Sequence, residues 1–160
     1  MKQLSTYINE KLVLNKNTFK KHYNYFPNTR DELKDIIKQL IKERKNKRVI
    51  DLNDIDTSKI TDMKGLFYNL PITEIDISGW DVSNVTDMAT MFFECEKLES
   101  IGNLNNWDVS KVKYMTYMFY YCRKLKDVGD ISDWDISKVE NMNKMFLGSG
   151  IKNIPSWYED

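Results

Sequence analysis

One tetrapeptide occurs three times along the chain at a fixed interval. Trp80-Asp81-Val82-Ser83 returns as Trp107-Asp108-Val109-Ser110 and as Trp134-Asp135-Ile136-Ser137, with a weaker first copy at Ile55-Asp56-Thr57-Ser58. The four serines are 25, 27 and 27 residues apart. A constant period between about 20 and 50 residues marks architectures that stack one unit on the next. Behind each serine the same apolar template follows: Ile60, Val85, Val112 and Val139; then Met63, Met88, Met115 and Met142; then Leu66, Met91, Met118 and Met145, each followed directly by Phe67, Phe92, Phe119 or Phe146. Spacings of three, three and one put these side chains on one face of a helix of about two turns. Each copy therefore predicts a short helix, N-capped by its serine and, at Ser137 and Glu140, carrying a capping box. The aspartate two positions before each serine is expected to close a turn on local backbone.

Between these segments lie apolar positions with strand character: Ile72, Ile75 and Ile77; Leu98, Ile101 and Leu104; Leu125, Val128 and Ile131. With Ile50, Leu52 and Ile55 upstream, they suit the strand of a leucine-rich-type unit with tryptophan at its end. The fold class expected is α/β: a leucine-rich-repeat-type solenoid of about four strand-turn-short helix repeats, with a parallel strand ladder and an α-helical N-terminal cap. The string Trp80 to Phe92, W-D-V-S-N-V-T-D-M-x-x-M-F, resembles the repeat of the BspA-like leucine-rich proteins, also described as the mycoplasma-type lipoprotein repeat, and the likeness extends over about residues 50 to 157. This resemblance implies a bacterial or bacteriophage origin and a binding role, many relatives being surface or adhesion proteins.

Residues 1 to 48 read as a separate, basic helical cap, and residues 49 to 160 as the array. Leu4, Ile8 and Leu12 suggest a first helix. Thr29-Arg30-Asp31-Glu32 is a capping box that opens a second, with Leu33, Ile36, Ile37, Leu40 and Ile41 on one face. Formal charge sums to zero over the 160 residues. Its distribution is uneven: residues 1 to 48 hold 13 Lys/Arg against 5 Asp/Glu, and the remainder holds 11 against 19. The run Lys42, Arg44, Lys45, Lys47 and Arg48 raises nucleic-acid binding as an alternative, but cations near a helix C-terminus are favoured by its dipole, and an acidic body repels a polyanion.

Chemistry is hard to place on this chain. His22 is the only histidine, and it stands apart from any nucleophile or second ligand. The carboxylates recur with the period, as turn and surface residues do. Cys95 and Cys122 fall in one column with Leu70 and Ser149 and are read as reduced, small packing residues. No enzyme activity, cofactor or metal is expected. No stretch reaches the roughly 18 apolar residues of a membrane span, and the first thirty lack the apolar centre of a secretory signal, so the expectation is cytoplasmic.

A protein partner is expected at one of two surfaces. Tyr114, Tyr117 and Tyr121 replace polar or small residues in the other copies, and tyrosine clusters suit the cores of interfaces. The outer side of the strands offers Glu74, Asp76, Glu99, Asn103, Asp127 and Asp130, which match a basic partner. A monomer is expected, the alternative being a homodimer meeting at the C-terminal end.

Overall fold

The computed structural model describes residues 22–159. The helix expected on Leu4, Ile8 and Leu12 lies outside the described residues.

Helix α1 spans Arg30–Glu43. Thr29, in an extended conformation, caps it by accepting the Glu32 N–H at 3.2 Å. The reciprocal bond of a capping box goes one residue further back, from Asn28 N–H to the Glu32 carboxylate at 2.7 Å. Leu33, Ile37 and Leu40 recur at helical spacing and are fully buried, with Ile36 and Ile41 half-buried beside them. At the helix end Arg44 donates its N–H to the Leu40 carbonyl. Its guanidinium reaches onward to the Asp51 carbonyl and grips Asp54 at 2.7 and 3.1 Å.

The strand-turn-helix solenoid expected from the period does not form. Among the described residues the regular elements are α1 and one parallel pair of strands, β1 (Ile50–Asp51) and β2 (Ile75–Asp76), registered Ile50 to Ile75 and Asp51 to Asp76. Two conformational facts account for the difference. Downstream of β2 the segments expected to extend the ladder contain Gly102 and Gly129 at φ +82° and +85°, outside the β region. The segments after each serine are turns, because each enters the left-handed region twice: at Gly65 and Asn69, Thr90 and Glu94, Tyr117 and Tyr121, and Lys144 and Gly148. An α-helix cannot pass through such residues.

Their backbone N–H groups accordingly bond to the segment that follows in sequence, not to the carbonyl four residues back. Met63, Gly65, Phe67 and Asn69 donate to Asp87, Ala89, Met91 and Phe93; Met88, Thr90, Phe92 and Glu94 to Tyr114, Thr116, Met118 and Tyr120; Met115, Tyr117, Phe119 and Tyr121 to Asn141, Asn143, Met145 and Leu147. All twelve bonds are between 2.8 and 3.1 Å. The serines are turn residues and not helix caps. Each donates its N–H to the aspartate two positions earlier, as Ser83 does to Asp81 at 3.0 Å and Ser110 to Asp108 at 3.1 Å. Glu140 pairs with Lys113 and Tyr114 instead of closing a box on Ser137.

The apolar columns form one core that includes the buried face of α1. Phe67, Phe92, Phe119 and Phe146 stack face to face at 5.1, 5.5 and 5.6 Å, and offset stacking adds about 0.5–1.5 kcal/mol per pair beyond simple burial. Trp107, Trp134 and Trp157 form a second stack at 6.4 and 6.3 Å. Trp80, Trp134 and Trp157 donate their indole N–H to the carbonyls of Leu52, Leu104 and Ile131; that of Trp107 is buried without an acceptor among the described residues.

Candidate functional site

Left-handed backbone is cheap for glycine and costs other L-residues about 1–2 kcal/mol each. In the two left-handed columns the first segment uses Gly65 and Asn69, the residue types that tolerate this conformation best, whereas the third uses Tyr117 (φ +58°) and Tyr121 (φ +52°). The strain throws both rings outward onto a set of aromatics. Tyr68, Phe93 and Tyr120, each the residue after a core phenylalanine, stack in the same order as that core at 5.0 and 4.9 Å, with ring planes within 4° and 12°. Tyr117 meets Phe93 and Tyr120 edge-on at 6.1 and 5.2 Å. Tyr121 packs on Tyr120 at 4.3 Å and lies against Gly148, where a Cβ would collide with the ring. The Arg123 guanidinium sits 4.5 Å from the centre of the Tyr121 ring, a cation-π contact.

The result is an aromatic ridge. Tyr68 is 48% exposed, Phe93, Tyr117, Tyr120 and Tyr121 are half-buried, and Leu147, the next residue in the Tyr68 column, is 40% exposed. Tyr114 is also exposed but makes no ring contact with the others. Its hydroxyl donates to Glu140 at 2.9 Å, and Lys113 holds the same carboxylate at 3.1 Å. The bond to Glu140 raises the Tyr114 hydroxyl above its ordinary value, and Lys113, then Tyr114, lower Glu140. Of the three tyrosines singled out by sequence, two join the ridge and one belongs to an adjoining ionic cluster. Tyr68, Phe93 and Tyr120 were not anticipated, although an aromatic directly after the core phenylalanine in three of four copies is a readable signal.

The acidic positions divide differently. Asn103, Asp127 and Asp130 are brought together along a groove of about 640 Å³ that Ser132, Asn153 and Pro155 also line. Their side chains are already engaged in turns: Asn103 accepts the Asn105 N–H, Asp127 that of Gly129, and Asp130 both the N–H and hydroxyl of Ser132. The Ser132 bonds hold the Asp130 carboxyl below its ordinary range. Asp76 is pushed up by burial and pulled down further by Ser78 and Asn53, with a net lowering. Glu74 faces Arg48 at 3.5 Å and Glu99 faces Lys124 at 3.1 Å. Each of the six is thus already held by a turn or an ion pair.

In the basic run, Arg44 is committed to Asp54, whose carboxyl its bonds hold below the ordinary range; Lys45, Lys47 and Arg48 are exposed. Cys95 and Cys122 are buried free thiols that donate to the carbonyls of Phe67 and Phe92 at 2.8 and 3.0 Å. Burial pushes the Cys95 thiol up to about 11 and raises Cys122 as well. Among the described residues no cluster of three or more His, Cys, Asp or Glu could hold a metal ion, and no helix is long and apolar enough to cross a membrane.

No curated protein and no solved structure matches the chain. A bacterial family model covers residues 35–157, from within α1 through the ridge to the last tryptophan, and the chain thus belongs to the Mycoplasma proteins of unknown function designated DUF285.

Proposed function

We propose that the protein is a non-catalytic binding module that engages another protein through the aromatic ridge. The observation that carries this reading is the pair Tyr117 and Tyr121, held in a conformation that glycine or asparagine would adopt at lower cost. Backbone strain of this kind concentrates where a chain trades stability for a surface. Tyrosine supplies large contact area, few rotatable bonds and a polar tip. Lys113, Arg123, Glu94 and Glu140 surround the rings with both charge signs, as the rim of a protein interface does. The sequence likeness to BspA-like repeats supports a binding role of the same kind. Two hydrogen-bonded thiols in neighbouring segments suit a reducing compartment, consistent with work on the cytoplasmic side. Nucleic acid is the weaker alternative, because Arg44 is spent inside the molecule.

The test replaces Tyr117 with Gly and Tyr121 with Asn, the residues that Gly65 and Asn69 provide in the first segment. Relief of strain offsets the lost ring contacts, so the double variant should melt at or above the wild-type temperature while losing capture of the partner from a bacterial lysate. Undiminished capture by a folded variant rejects the ridge as the site.

A further inference from the structure

We propose that the open edge formed by Met142, Lys144, Phe146 and Gly148 is a docking edge for a peptide segment of a partner protein, one that carries this chain's own Val-x-x-Met-x-x-Met pattern. This rests on different residues from the ridge. In each of the first three segments, four alternate N–H groups are satisfied by carbonyls of the next segment. The equivalent groups of the last segment, those of Met142, Lys144, Phe146 and Gly148, have no acceptor among the described residues. Four alternate donors left open in a row make an edge, and added chain segments bind open edges through their main-chain carbonyls.

The side chains at this end are open in the same places. Val85, Met88, Val112 and Met115 are fully buried, whereas their counterparts Val139 and Met142 are only half-buried, as is Ile136 beside them. The tail closes part of this face. Trp157 stacks on Trp134 at 6.3 Å and Tyr158 meets Phe146 edge-on at 5.0 Å, so the places that a further Trp and Phe would take are filled. What stays open wants four carbonyls together with a β-branched residue and a methionine. Inside the molecule that is what Val112 and Met115 bring to Val85 and Met88. A second copy meeting this end across a two-fold axis would set N–H against N–H, and at the other end of the core the apolar face is covered by α1. A peptide with free carbonyls suits this edge better than the two-fold homodimer that stood as the alternative to a monomer.

Amide hydrogen exchange read by NMR tests the proposal, the probe being a synthetic peptide copying residues 109–121. In the free protein the amides of Met142, Lys144, Phe146 and Gly148 should exchange fast while those of Met115, Tyr117, Phe119 and Tyr121 are protected. The peptide should protect the first four, a scrambled peptide should not, and Met142→Glu should lose the effect while Met115 and Phe119 stay protected. Should Met142→Glu fail to fold, Val139→Lys poses the same question at a neighbouring side chain. The proposal is overturned if the copied peptide gives no protection, if the scrambled peptide protects equally, or if the four amides become protected with rising protein concentration alone, which would make a second copy the occupant.

Discussion

Ser149 shows how much a single atom can decide. It occupies the column of Cys95 and Cys122, whose S–H groups reach back to the carbonyls of Phe67 and Phe92. The corresponding acceptor for Ser149 is the carbonyl of Phe119, yet its buried hydroxyl has no partner among the described residues. A C–O bond is shorter than a C–S bond, and the serine falls short. Ser149→Cys should restore the contact, end the burial of an unpaired hydroxyl and raise stability by about 1 kcal/mol, read as a higher midpoint in urea. The column itself was legible as small packing residues, but the carbonyl that gives it meaning lies about 28 residues away in sequence and no local pattern points to it. Tyr117 and Tyr121 were legible as outliers from their columns. Their partners Tyr68, Phe93 and Tyr120 were not singled out, since the ring contacts that join them link different copies of the period.

At the scale of elements, α1 was readable because cap, apolar spacing and length all agree, and its bounds follow from Thr29 and Arg44. The turns after each serine were misread as helices for a definite reason. Spacings of three, three and one bring side chains to one side in a helix and equally in a pair of consecutive turns. Glycine at both left-handed positions of every copy would have separated the two; Thr90, Glu94 and Lys144 hide the signal. The junction that ties α1 to the chain below it carries a pH prediction. Arg44 lowers the carboxyl of Asp54, so this pair contributes its stability in full above the unfolded value of about 3.9 and loses it as pH falls through the lower folded value. Thermal melts from pH 6 downward should show a loss of stability below about pH 4 in the wild type, and Asp54→Asn, already lacking the charge, should show a smaller loss over the same interval.

At the scale of the whole molecule, the core is knit by the phenylalanine column, which runs through all four segments. Phe119 lies inside it, fully buried between Phe92 and Phe146. Phe119→Ala should cost about 3–5 kcal/mol, measured by urea unfolding. The positions of this core were legible from sixteen template residues; the architecture holding them was not, because the bonds that define it join residues 24 to 30 positions apart. Those bonds also have a sense of direction. In each of the first three turn segments, four alternate N–H groups are given to the segment that follows, so on a ribosome these donors wait for acceptors that have not yet been synthesised. Every added segment quenches the donors of the one before, and a ribosome pausing between segments leaves the growing protein with one exposed rim.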